Sequence, residues 1–193
     1  MRHKGYSVLE LLMVVSVSIV ISGAAIPLAT NGVDRTRAEG AVRYVAGRMA
    51  SARFEAVRRS AYVAIRFVPQ SDGIWLRAFV DGNRNGVLSG DITRGLDVPI
   101  TSDERLDHHF SGITFGILPN VTGLDPGQPF NAGDPVQIGS STLLSFSPLG
   151  ASTSGTLFIR GQRGTQFAVR ILGATGRTRT FEFNFGDARW HRR

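Results

Sequence analysis

The sequence predicts an α+β fold, one long N-terminal helix followed by antiparallel strands. Three observations lead there. After a short basic lead come about twenty mostly apolar residues, enough to cross a bilayer as a helix. From Val33 to Arg59 apolar residues then recur every three or four positions. Past Ser60 the period changes to short runs of β-branched and aromatic residues separated by Gly, Pro and Asp.

The lead is Arg2-His3-Lys4, and Gly5 separates it from the apolar run. By the positive-inside tendency Arg2 and Lys4 stay cytoplasmic, which places everything after Leu28 across the membrane. Arg35 and Arg37 oppose this, so charge alone is a weak guide to orientation. One carboxylate, Glu10, stands near the front of the run. An acid there costs about 2.5–3.5 kcal/mol, which marks a functional residue in need of a partner. A secretory signal peptide would instead end in a small-residue site such as Gly23-Ala24-Ala25. A plain membrane anchor would leave a glutamate close behind a glycine unexplained.

Pro27 lies inside the helical pattern and should bend it. Asn31-Gly32 is a second weak point, with Asp34 placed to cap a restart. Beyond it, Ala38, Ala41, Val42, Val45, Met49, Ala52 and Ala56 form one apolar face. Glu39 and Arg43 make an i,i+4 pair on the other side. Arginines 35, 37, 43, 48, 53, 58 and 59 line the polar surface, read as a solvated face with headgroup or neighbour contact as the alternative.

Strands are expected at Ala61–Val68, Ile74–Val80, Ile113–Ile117, Leu143–Phe146, Thr156–Arg160, Gln166–Leu172 and Thr178–Phe185. Pro69 to Gly73 reads as a turn, Ala174-Thr175-Gly176 as a hairpin connection, and Pro119–Ser141 as a long surface loop.

There is no cysteine, hence no disulfide and no thiolate ligand or nucleophile. Neither a Gly-x-Ser-x-Gly nucleophile nor a Gly-Lys-Ser/Thr phosphate loop occurs, and no nucleophile–base pair stands out, so the chain reads as a non-enzyme. The net charge of +7 is unevenly spread: residues 31–59 carry +4, 60–159 carry −4 and 160–193 carry +6. That asymmetry favours an anionic partner for one surface, whether lipid headgroup, nucleic acid or an acidic subunit.

Two stretches invite a metal reading. Asp81, Asn83, Asn85 and Ser89 fall at calcium-loop positions 1, 3, 5 and 9, with Gly86 at the sharp turn. Position 12 is Ile92 rather than Glu, and Asp91 stands one residue early, so a glycine-rich turn explains the same residues. Calcium is the one cofactor the sequence raises. His108-His109, if on a strand, point to opposite faces and make a poor chelate.

Gly5-Tyr6-Ser7-Val8-Leu9-Glu10-Leu11-Leu12 resembles the N-terminus of type IV prepilins and type II secretion pseudopilins. The resemblance implies cleavage after Gly5 by prepilin peptidase, methylation of the new Tyr6 amine, and an assembly role for Glu10, fifth in the mature chain. Phe146-Ser-Pro-Leu-Gly150, Gly155-Thr-Leu-Phe-Ile159 and Gly176-Arg-Thr-Arg179 further resemble the carboxyl half of the GspH/FimT group of minor pilins and pseudopilins. That group has one long helix packed on two small antiparallel sheets. The implied organisation is a leader (1–5), a transmembrane assembly helix (6–28), its amphipathic continuation (29–60) and a periplasmic β-rich domain (61–193). The implied partners are other pilins in a helical filament, the peptidase/methyltransferase and the inner membrane. The implied role is in protein secretion or pilus biogenesis, near the filament tip. FimT-like members are implicated in DNA capture through a Gly-Arg-x-Arg motif, which Gly176-Arg-Thr-Arg179 matches. On that reading Arg177, Arg179, Arg189, Arg192 and Arg193 would contact phosphate, and Trp190 is an aromatic able to stack on a base.

Overall fold

In the computed structural model every residue is described except 1–4, 6, 126, 128 and 140, and for 23–31 the description covers the helical backbone alone. Helix α1 runs from Val8 to Arg59 without interruption. Ser7 opens it: its hydroxyl accepts the Glu10 backbone N–H at 3.2 Å, satisfying one of the free donors of the first turn. Ser60 closes it in the left-handed region, its N–H returning to the Ala56 and Val57 carbonyls. The break expected at Asn31-Gly32 is absent, and Asp34 caps no restart. A mid-helix glycine costs about 1 kcal/mol, a small sum against the tertiary contacts that begin at Asp34.

The described strands form two antiparallel sheets. In the first, β1 (Val63–Gln70) lies between β2 (Gly73–Val80) and β7 (Leu143–Phe146), and the short β3 (Val98–Pro99) and β4 (Glu104–Arg105) pair with β2. The second runs β11 (Arg189–Arg192), β10 (Arg177–Asn184), β9 (Gln166–Leu172), β8 (Gly155–Arg160), β5 (Thr114–Phe115), with β6 (Val136–Gln137) also on β8. Two short helices, α2 (Ser89–Arg94) and α3 (Leu106–His109), sit in the connections.

One face of each sheet meets α1. Val63, Ile65 and Phe67 on β1 and Leu76, Ala78 and Val80 on β2 alternate inward, as do Leu157 and Ile159 on β8 and Phe167, Val169 and Ile171 on β9. Against them α1 presents the apolar face that its spacing predicts, from Ala38 to Ala56, with no member more than 4% exposed. Four of those seven residues are alanines, so the helix axis can lie close to both sheets at once.

Three departures from the sequence reading have local causes. Pro69 remains inside β1, opposite Ile74, and the hairpin turn is Ser71-Asp72 alone. The backbone N of Phe67 donates to Thr142 on the β7 side, and Pro69 points the same way, beyond the end of β7, where no donor is needed. The stretch 119–141 is more than a surface loop: it contains β6, and it buries Val121, Val136 and Ile138. The basic tail is β11, paired with β10 through Phe181–Asn184.

Polar contacts pin α1 to the domain at three levels. Asp34, buried, accepts from the backbone N–H of Gln162 (3.1 Å) and Arg163 (3.2 Å) and from the Thr165 hydroxyl (2.9 Å). Midway, Tyr44 and Arg48 both engage buried Glu104, and His109 lies 3.3 Å from the Tyr44 hydroxyl. Near the C-terminal end, Arg53 Nε donates to the Gly150 carbonyl at 2.8 Å. Glycine is required around two of these contacts. A β-carbon on Gly161 would stand 2.3 Å from the Asp34 carboxylate, and one on Gly176 would stand 2.6 Å from the Gly150 carbonyl and 2.9 Å from Arg53.

Asp34→Ala leaves these donors without their acceptor and should lower the unfolding free energy by about 1–3 kcal/mol. Gly161→Ala, which overpacks the same joint, should cost a similar amount. Urea unfolding of the detergent-solubilised chain measures both; a wild-type midpoint for either variant would remove Asp34 as the anchor of the joint.

Candidate functional site

The first candidate is the free half of α1. From Val8 to Ile21 its apolar side chains are all exposed, on every side of the helix, from Val17 at 48% to Leu9 at 78%. Ser16 and Ser18 turn their hydroxyls onto the Leu12 and Val14 carbonyls at 2.8 Å, which satisfies them without water. Glu10, exposed, occupies the first turn, where the helix dipole favours a carboxylate. Gly5 is exposed outside the helix. Tyr6 and the basic lead lie outside the described residues, as do the side chains of 23–31. Among the described residues no helix is long and apolar enough to cross a membrane.

The loop that resembles a calcium site is closed by its own groups. Asp81 accepts the backbone N–H groups of Asn83, Arg84 and Gly86 at 2.7–3.1 Å. Asp97, a residue the spacing argument did not include, accepts those of Gly82 and Leu88 at 3.1 and 2.9 Å. Asp91, fully buried, receives the side-chain amides of Asn83 and Asn85, each at 2.9 Å, and pairs with Arg94. The carboxylates thus act as acceptors for a tight turn. A cation at this point would need Asn83 and Asn85 to turn oxygen rather than nitrogen inward. No group of three or more metal-binding acids, histidines or cysteines occurs among the described residues.

His108 and His109 lie on α3 rather than on a strand, a consequence of the helical turn begun at Leu106. Their rings still go separate ways: His108 packs edge-on against Trp75 and His109 against Tyr44.

The C-terminal arginines are divided rather than gathered. Arg177 and Arg179 are exposed on β10, with no carboxylate partner among the described residues, and Arg177 lies in a groove beside Arg53, Phe54 and Val57. Arg193 lies at the other end, where it and Arg35 both pair with Glu182. Arg35 and Arg53 are eighteen residues apart on one helix, about 27 Å. Arg189 is exposed on β11, and Arg192 shares a cleft of about 660 Å³ with Arg35, Arg163 and Arg193. Trp190 is occupied: its indole donates to the Thr122 carbonyl at 2.9 Å and its ring packs on Phe158 and Phe183. Stacking on a base would require its displacement.

Two roles escaped the sequence reading. Arg53, on the arginine-lined face of α1, reaches Gly150 between two glycine turns. Asp34 holds a turn 128 residues away. The recurring glycines at 150, 161 and 176 were the available signal, since each lies where a side chain would collide with one of these two residues.

Comparison with known proteins places this geometry. The family model for "Type II transport protein GspH" matches residues 41–176, which run from the buried face of α1 to the Gly176 turn. The pilin-like protein PilA1 of Thermus thermophilus is 36% identical over 85 residues, 44% of this chain and 53% of that protein. The chain therefore spans about half the length of this relative. No solved structure matches.

Asp91 is held below the usual carboxylate range, first by the Asn83 and Asn85 amides and then by Arg94. A depressed carboxylate contributes its stability above its unfolded value, near 3.9, and loses it as pH falls through the folded value. The loop should accordingly stay closed from neutrality to about pH 4 and open only below the ordinary range. Side-chain amide resonances of Asn83 and Asn85, followed on acidification, report this directly. A transition centred above the ordinary carboxylate range would contradict the assignment.

Proposed function

The chain belongs to the GspH family of type II transport proteins, and on that premise we propose that it is a minor pilin or pseudopilin, added near the tip of a thin helical filament that serves protein secretion or pilus biogenesis. The family is one of pilin-type structural subunits, not of enzymes. The observation that carries the proposal is the free half of α1, apolar on all sides with Glu10 in its first turn. Such a surface needs a bilayer or a bundle of like helices.

Both fit, in sequence. From Val8 to Leu28 the helix spans about 31 Å against a hydrocarbon core of about 30 Å. The subunit waits as a single-pass protein of the inner membrane, its β domain on the periplasmic side. Prepilin peptidase cuts after Gly5 and the Tyr6 amine is methylated. In the filament Glu10 pairs with the Tyr6 amine of a neighbour. Two charges enter an apolar bundle tolerably when they meet, whereas one left alone is strongly destabilising. Packing of helix flanks then drives assembly, and the pair fixes register.

A second reading is favoured by one observation: Arg177 and Arg179 are exposed with no carboxylate partner among the described residues. Duplex DNA would find two guanidinium groups on one strand face there. The Gly176 that precedes them has its own structural reason in the contact with Arg53 and Gly150.

Glu10→Ala should be processed and inserted normally yet be missing from sheared filaments, read by immunoblot of membrane and filament fractions. Normal incorporation would count against the pairing. For the second reading, duplex binding by the detergent-solubilised chain should fall steeply with salt and weaken in Arg177→Gln/Arg179→Gln. Equal binding by that double variant would end it.

A further inference from the structure

At the end of the β domain from which the free half of α1 departs lies a cluster of arginines. Asp34 fixes the departure point by holding the turn Gly161–Thr165 against the helix. Around it, lining one cleft, lie Arg35 on α1, Arg163 on that turn, and Arg192 and Arg193 at the end of the chain, with exposed Arg37 two residues further along α1. Two carboxylates of this end are turned inward. Asp34 is buried, and the Glu182 side chain, which binds Arg35 and Arg193, is 14% exposed, while those two arginines are 48% and 54% exposed. Two more reach solvent but are ion-paired: Glu39, its side chain 38% exposed, with Arg35 and Arg43, and Asp187, 42% exposed, beside His191. Phe185 stands 45% exposed on the adjoining turn, an apolar side chain beside the cations.

We infer that this end of the domain is a collar that rests on anionic phospholipid headgroups while the subunit waits in the membrane. The inference rests on the membrane-anchored reading above. Arg35 lies seven positions beyond Leu28, the last of the apolar run, a rise of about 10 Å along the helix. The headgroup layer is about 5–8 Å thick on each side of the hydrocarbon core. The guanidinium groups thus begin within a few ångströms of the outer headgroup surface, inside one Debye length of about 8 Å at physiological salt. Guanidinium forks match phosphate oxygens, and an exposed Phe enters the interfacial region readily. Because Asp34 fixes α1 to the domain, inserting the helix brings the collar to the surface without further ordering.

Hydrogen exchange on the full chain tests this. The chain is placed in nanodiscs of phosphatidylcholine, or of phosphatidylcholine with part replaced by phosphatidylglycerol. The expected result is several-fold slower exchange at 162–164 and 185–193 in the anionic discs, reversed by high salt and by Arg163→Gln/Arg192→Gln. Exchange across Ala38–Ala56 should stay unchanged, which shows that the variant is folded. Equal exchange in the two discs, with the chain retained in both, overturns the collar and leaves the anchor standing. Failure of the chain to remain in discs of either composition overturns both. Inorganic phosphate that reproduces the protection in neutral discs would make the site one for a free anion. Protection by duplex DNA with none by anionic lipid would make it a nucleic-acid surface. Either of these two results overturns the headgroup assignment.

Discussion

A carboxylate buried where a helix leaves its domain is tolerable only if donors converge on it, and at Asp34 three do, two of them backbone N–H groups of a single turn. The remaining contacts of α1 follow from that joint. It sets the depth at which the alanine-rich face meets the two sheets, so that Ala38 and Ala41 are completely buried one and two turns later. Tyr44 and Arg48 then meet Glu104, and Arg53 reaches the Gly150 carbonyl. Directional contacts at these levels fix rotation and translation of the helix, which apolar burial alone leaves loosely specified.

Most of this architecture was legible in the chain. The three- and four-residue spacing from Ala38 to Ala56 is the buried face, and the long strands lie within a few residues of their apolar runs. What was not legible depends on partners far away in sequence. Asp34 looks like a helix cap until the turn at 161–165 is seen to fill its oxygens. Pro69 looks like a breaker until β7 is seen to stop short of it. The two-residue strands at 98–99, 104–105 and 136–137 carry too little pattern to be read, and β11 is a strand because β10 offers it a free edge. Glu10 stood out by its charge in an apolar run. The C-terminal arginines stood out as a group, and the fold separates them.

Charge is sorted by depth as well as by region. Four of the nine acids of the middle segment, Asp81, Asp91, Asp97 and Glu104, are buried and hold backbone, side-chain amide or tyrosine donors in place. Arginines such as 37, 163, 177, 179, 189 and 192 are exposed. A net charge of +7 therefore understates how basic the outside is, because five of the fifteen acids are buried. A polyanion at the surface meets more guanidinium groups than carboxylates.

Because α1 is unbroken for 52 residues, about 78 Å, the protein is mechanically a lever with its β domain clamped to one arm. A tilt of about 20° at the free end, ordinary for a helix in a bilayer, would carry the far end sideways by about 27 Å. With the joint at Asp34 stiff, such a swing moves the domain as one piece. If that arm is membrane-anchored as proposed, its thermal tilting would be how the domain searches its surroundings for a partner.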